Sequence, residues 1–311
     1  MKTGLRLVCL ALLTIAPACR IAFLDSSEEG NWGLTSSVFR LLACANPDRI
    51  AFTSNETGFT NIYSMASDGT DVRQLTFDSF NLDNPAWSPD GSRIAFNFTL
   101  GPNTGISIMN ADGSGRADLV AGAGTHLEPA FSPDANTIFF TSNGGAGTDY
   151  IWRMNAEGTQ LIQLSPTDGI QRGMPSTSVG SPYIYYMDTT STNQDIWRMD
   201  FDGANAAQLT LTGSDEDDPQ ATFDGTYLAL ADSGQIYTMG IDGSALTNIS
   251  NNGFAENEPA WAPDNNRMVF TSNRNGGISH LLIMNRDGSN AVQLTTNNSF
   301  QYRSPAWSCG L

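Results

Sequence analysis

Along most of the chain, apolar and polar positions alternate in short runs, and Gly, Pro, Asn and Asp separate the runs. Alternation with a period of two marks strands with one buried face, and the separating residues are those that turn a backbone. One run organises the rest. Asn84-Pro85-Ala86-Trp87-Ser88 predicts a strand that Pro85 opens, where its missing N–H costs least. Pro89-Asp90-Gly91 predicts a tight turn, and Arg93-Ile94-Ala95-Phe96 a buried second strand. Close copies begin at Glu128-Pro129 and Glu258-Pro259, and weaker ones at Met174-Pro175 and Asp218-Pro219. Ser304-Pro305-Ala306-Trp307-Ser308 is half a copy at the end.

A second register is more regular. A strand ends in Met, Gly follows four positions later in an acidic-Gly turn, and an aliphatic residue stands six positions after Gly. The sets are Met65, Gly69, Leu75; Met109, Gly113, Leu119; Met154, Gly158, Leu164; Met199, Gly203, Leu209; Met239, Gly243, Ile249; and Met284, Gly288, Leu294. Successive glycines are 44, 45, 45, 40 and 45 residues apart. The acidic-Gly pair suits a hairpin whose Gly is left-handed. Each unit offers four strands, and one sheet of about 44 residues cannot bury both its faces alone. Six such sheets packed around an axis can. The expected fold is therefore all-β: a six-bladed β-propeller of four-stranded antiparallel blades. The first unit, from Asn46 to Phe52, lacks a Pro-Ala-Trp-Ser strand, and Pro305 to Ser308 supply one. The C-terminal strand is thus expected to close the first blade.

Charge narrows the partners. Lys and Arg number 15 against 32 Asp and Glu, a formal net charge of −17. Nucleic acids and anionic lipid surfaces need a basic face, so both are excluded. A cationic ligand, Ca²⁺ or a basic protein patch fits, as does a purely solubilising role.

The N-terminus reads as an export signal over residues 1–18, with basic Lys2 and Arg6, an apolar run from Leu7 to Ala16, and small residues at Ala16-Pro17-Ala18. Cys19 follows at once. Small residues before Cys resemble the lipobox of bacterial lipoproteins, which implies an acylated Cys19 and attachment to a membrane through lipid alone. Ala16 stands where that motif usually has Leu, and cleavage with plain secretion is the other reading. Residues 19–43 read as the lipobox Cys and a tether, and 44–311 as the propeller. Cys9 lies in the signal, which leaves Cys44 and Cys309. In an oxidising compartment this pair is a disulfide candidate, and closure of the first blade would bring its two members together.

The repeated Pro-Ala-Trp-Ser-Pro-Asp-Gly-x-x-Ile-Ala-Phe and Met-Asn-x-Asp-Gly-Ser signatures, over residues from about 46 to 308, resemble the PD40 or TolB-type, WD40-like repeat. The resemblance implies the propeller fold. In that family the propeller binds a lipoprotein of the cell envelope, and a separate domain precedes it. Only residues 20 to 43 separate signal and propeller here, so no partner-binding residue transfers by position.

Catalytic signals are thin. The histidines are His126 and His280, no Gly-x-Ser-x-Gly elbow occurs, and no His pair has zinc-ligand spacing. The enzyme reading is a lyase-like or metal-dependent, carbohydrate-active protein that uses His126 and Arg172. The preferred site is the set of loops entering each first strand, which a propeller gathers at one channel mouth. Its residues are Asp83, Asn84, His126, Glu128, Arg172, Asp217, Asp218, Glu256, Glu258 and Arg303. Crowded carboxylates there suit Ca²⁺; alternatively, each acid hydrogen-bonds its own turn. Asp112 and Asp202 read as turn residues, the repeated Met as fillers between blades, and Trp87, Trp261 and Trp307 as packing. The expected function is a non-enzymatic, exported platform for another envelope or extracellular protein.

Overall fold

A computed structural model describes residues 48–308 apart from residues 123, 191, 192 and 275. The signal, Cys19, the tether, Cys44 and Cys309 lie outside the described residues. Every regular element described is a strand. The first blade holds β1 (Arg49–Ser54), β2 (Asn61–Ala66) and β3 (Arg73–Gln74). The second is β4 (Asn81–Trp87), β5 (Arg93–Leu100), β6 (Asn103–Asn110) and β7 (Ala117–Ala121). The third is β8 (His126–Phe131), β9 (Thr137–Ser142), β10 (Tyr150–Asn155) and β11 (Ile162–Gln163). The fourth is β12 (Arg172–Ser176), β13 (Tyr183–Asp188), β14 (Asp195–Asp200) and β15 (Ala207–Gln208). The fifth is β16 (Glu216–Ala221), β17 (Tyr227–Asp232), β18 (Gln235–Gly240) and β19 (Thr247–Asn248). The sixth is β20 (Glu256–Trp261), β21 (Arg267–Ser272), β22 (His280–Asn285) and β23 (Val292–Gln293). The last strand, β24 (Tyr302–Trp307), returns to the first blade, whose order is β24-β1-β2-β3. It pairs antiparallel with β1, Ile50 opposite Trp307 and Ala51 opposite Ala306. Neighbouring inner strands touch all the way round, β24 against β4 included, so the ring is closed as the repeat arithmetic predicts.

The repeat explains its own residues. Six apolar clusters fill the six gaps between blades, and each holds one of the repeated Met residues, all buried. An unbranched, polarisable side chain suits such gaps. The Gly of each acidic-Gly turn has φ between +79° and +89° and lies against the aliphatic residue of the preceding blade. A Cβ on Gly113 would stand 2.5 Å from the Leu75 carbonyl oxygen, on Gly158 2.6 Å from that of Leu119, and on Gly203 2.7 Å from that of Leu164. Gly69 meets Leu294 in the same way, the first blade against the sixth. The six-residue offset from Gly to aliphatic residue is therefore half of a contact that runs between blades. In the five Asp-Gly turns the acid accepts the N–H two residues on, as Asp112 does from Ser114 at 2.9 Å and Asp202 from Ala204 at 3.0 Å, whereas in the Glu157 turn Asn155 Oδ1 takes the Thr159 N–H at 2.7 Å. The Thr or Ser after the aliphatic residue holds the outer edge. Oγ of Thr76, Ser165, Thr210, Ser250 and Thr295 each accepts the first apolar N–H of the third strand, from Ile62, Ile151, Ile196, Ile236 and Leu281.

Candidate channel-mouth site

Each inner strand carries one irregularity at the same place. Pairing with the second strand skips between Asp83 and Ala86, Leu127 and Ala130, Gly173 and Ser176, Asp217 and Gln220, and Asn257 and Ala260. In β24 the skip lies between Arg303 and Ala306. The bulged pair is always Pro and the residue before it. Pro has no N–H for the ladder, so it is tolerated at a bulge and in an edge strand, and each of these strands is the edge of its four-stranded sheet. Pro85 therefore lies inside β4 and does not open it, and the predicted entry loops are the first halves of strands. The pre-proline residues Asn84, Glu128, Met174, Asp218, Glu258 and Ser304 all have φ between +48° and +56°, although none is Gly. That conformation costs a non-Gly residue roughly 1–2 kcal/mol, so six copies need compensation.

The compensation passes from blade to blade. Glu128 Oε2 accepts the Met174 N–H at 2.8 Å and the Thr141 hydroxyl at 2.6 Å. The Asp218 N–H points to Met174 Sδ at 3.5 Å, and the Glu258 N–H serves the Asp218 carboxylate. Glu258 Oε2 accepts the Ser304 N–H at 2.8 Å. Ser304 Oγ then donates to Asp83 Oδ1 at 2.7 Å, which also accepts the Asn84 N–H at 2.9 Å. Apart from that of Asn84, which Asp83 of the same strand holds, the bulge N–H groups freed from the ladder are thus held by the neighbouring blade's side chain. The alternative that each acid serves its own turn holds for Asp83 but not for Glu128, Asp218 or Glu258.

All six pre-proline residues line a central cavity of about 220 Å³. Its other end is lined by Trp87, Phe131, Trp261 and Trp307. These aromatics are packing: Trp261 Nε1 donates to the Gln220 carbonyl at 2.9 Å, and Trp307 Nε1 to Asp48 at 3.0 Å. The mouth end brings the carboxylates of Glu128, Asp218 and Glu258 together. Burial pushes Glu128 and Glu258 upward. Burial first, then the charges of Glu258, Asp215, Asp232 and Glu128, pushes Asp217 to about 6. Burial, followed by Asp217, Glu258 and Glu128, raises Asp218 well above the ordinary carboxylate range.

A pKa that is higher in the folded than in the unfolded chain means that the folded state binds the extra proton. That contribution to stability is complete below the unfolded value and is lost as pH rises through the folded one. The melting temperature should therefore fall as pH rises through about 6 and above. Replacing Asp217 and Asp218 together by Asn should flatten the slope, as followed by circular dichroism; an unchanged slope would contradict the assignment.

The other candidates turn away from the channel. Two residues before each pre-proline position the side chain is buried in its own blade, as Leu82, His126, Arg172, Glu216, Glu256 and Tyr302. His126 Nδ1 meets Ser142 Oγ at 2.9 Å beside Phe140, and burial lowers its pKa. Arg172 donates to Asp188 at 2.5 Å and to Asp168 at 2.9 Å. Glu256 pairs with Arg274 and accepts from Ser272 at 3.2 Å. His126, Arg172 and Glu256 therefore leave the rim, because the bulge resets which residues face the axis. Arg303 is exposed beside the mouth, where it acts electrostatically on Glu258. Met174 and Ser304 belong to the ring although chemistry alone would not select them; the signal is their place before a strand-interior Pro. Among the described residues, no group of three or more His, Cys, Asp or Glu side chains is arranged to hold a metal ion.

A family model described as the TolB beta propeller domain, PD40, matches residues 78–233. The chain belongs to the TolB β-propeller family. A TolB homolog from Chlorobaculum tepidum is 33% identical over 122 residues, which are 38% of this chain and 28% of that protein. The matched stretch is thus under a third of the relative's length. The crystal structure of TolB from Acinetobacter baumannii superposes with a TM-score of 0.74 at 20% identity, over 88% of this chain and 70% of that one. The oligogalacturonate lyase of Vibrio parahaemolyticus shares the fold more distantly, with a TM-score of 0.50 at 11% identity over 76% of this chain and 86% of that one.

Proposed function

We propose that this TolB-type propeller is a non-enzymatic platform that holds another envelope or extracellular protein at its channel mouth. The observation that carries the reading is the ring of six bulged, left-handed positions whose side chains converge on one cavity. Strain repeated at one surface and compensated from blade to blade marks a binding feature more than a packing accident. The carboxylates of Glu128, Asp217, Asp218 and Glu258 favour a partner segment that brings positive charge, and Asp83, Asn84 and Arg303 form the edge it would meet. Kinship with TolB proteins supports a protein partner in the periplasm or at the cell surface. An acylated Cys19 would supply the only membrane attachment, and the intact mass of the mature N-terminus tests it. His126 and Arg172, held within their own blades, lend no support to lyase chemistry.

The test is capture from envelope extracts. Asp217→Asn with Glu258→Gln should lower recovery of the captured protein at least about tenfold, a loss of ~1.4 kcal/mol or more, while circular dichroism shows the folded β-spectrum retained. Equal recovery by the double variant would overturn the reading.

A further inference from the structure

The position that opens the second strand of each blade is bulky in five of six: Arg49, Arg93, Tyr183, Tyr227 and Arg267. Three of these side chains, Arg93, Tyr227 and Arg267, meet the next blade in the outer gap. The Arg93 guanidinium lies 5.5 Å from the Phe131 ring and that of Arg267 5.4 Å from Trp307. Tyr183 lies under Arg198 at 4.3 Å, and Tyr227 under Arg286 at 4.5 Å. The third blade has Thr137 there. Between the third and fourth blades a cleft of about 320 Å³ opens, lined by Ser132, Asp134, Thr137, Phe139, Arg153 and Phe201. That volume is at the small end for a ligand pocket.

The chemistry of the cleft is specific. Phe139 and Phe201 stack, with ring centroids 5.6 Å apart and an angle of 23° between planes. Arg153 occupies the place of Arg198 one repeat earlier, but it has no tyrosine beneath it. Among the described residues its guanidinium makes no hydrogen bond, ion pair or ring contact, and its Nε is shut off from solvent without an acceptor. Buried charged donors are ordinarily paired. Asp134, the acid in the same cleft, is committed to its own turn: it accepts from Ser132 Oγ at 2.5 Å and from Asn136 N–H and Nδ2, both at 3.1 Å. A half-buried guanidinium without a partner among the described residues, beside Phe201 where it stacks on the buried Phe139, matches a flat molecule that carries a carboxylate.

We propose that this cleft binds a small planar aromatic carboxylate, its ring against Phe201 and its carboxylate on Arg153. Saturation-transfer NMR and calorimetry on the mature full chain, with 4-hydroxybenzoate as probe, test this directly. Saturable binding is expected below about 10 mM. Arg153→Gln should weaken it at least about tenfold. Thr137→Tyr, which copies the fourth and fifth blades, should abolish it while leaving the melt intact. No saturable binding, or equal binding by Arg153→Gln and Thr137→Tyr, would overturn the proposal. So would inorganic phosphate displacing the probe at equal concentration, since charge alone would then suffice.

Discussion

Truncation after Gln301 should leave no cooperatively folded monomer. β24 is the inner strand of the first blade, and it carries Tyr302 and Trp307, each 4–5% exposed, into the gap between the sixth and first blades. Removing a buried aromatic side chain costs about 3–5 kcal/mol. Two of them, with the β1 ladder and the Ser304 link to Asp83, are comparable to the whole of the roughly 5–15 kcal/mol by which domains of ordinary stability fold. Trp307→Ala alone is the graded form: about 3–5 kcal/mol, read as a lowered denaturant midpoint with an unchanged slope. A truncated chain that melts like the full one would refute closure through the last strand.

The second large effect separates strain from contact. Gly58 and Gly113 both have left-handed backbones, φ +95° and +87°. A Cβ on Gly58 meets nothing within 4 Å, whereas one on Gly113 meets the Leu75 backbone of the preceding blade. Gly58→Ala should cost roughly 1–2 kcal/mol from backbone strain alone. Gly113→Ala should cost about 2 kcal/mol more, because the rigid neighbour must move and the adjoining apolar cluster opens with it. Chemical denaturation of both variants checks this, and equal costs would mean that the repeated Gly is a turn residue only.

These two results bear on what a sequence discloses. Blade number, closure and the roles of Met, Trp and the acidic-Gly turn were legible because each depends on a local pattern repeated in register. The partner of each Gly was not, although Leu75 and its equivalents stood in the same register, because the contact joins one repeat to the next. The mouth was half legible. Glu128, Asp218 and Glu258, expected at the mouth, line the central cavity, and Asp83 adjoins it through Ser304. His126, Arg172 and Glu256 were misplaced, because a bulge exchanges the faces of a strand and no residue type announces it. Only Pro in the middle of an alternating run does so, as Pro129 and Pro219 show. The cleft at Arg153 escaped notice for a different reason: its signal is a small residue, Thr137, where the other blades carry Arg or Tyr.

Paired cysteines in place of Ala51 and Ala306, in a chain whose Cys44 and Cys309 are replaced by Ser, test the closed ring most directly. The account predicts near-complete oxidation to one intramolecular disulfide, seen by peptide mass mapping, in a protein that melts no lower than its reduced form. Free thiols, or disulfides that only join separate molecules, would show that the first and last strands do not meet.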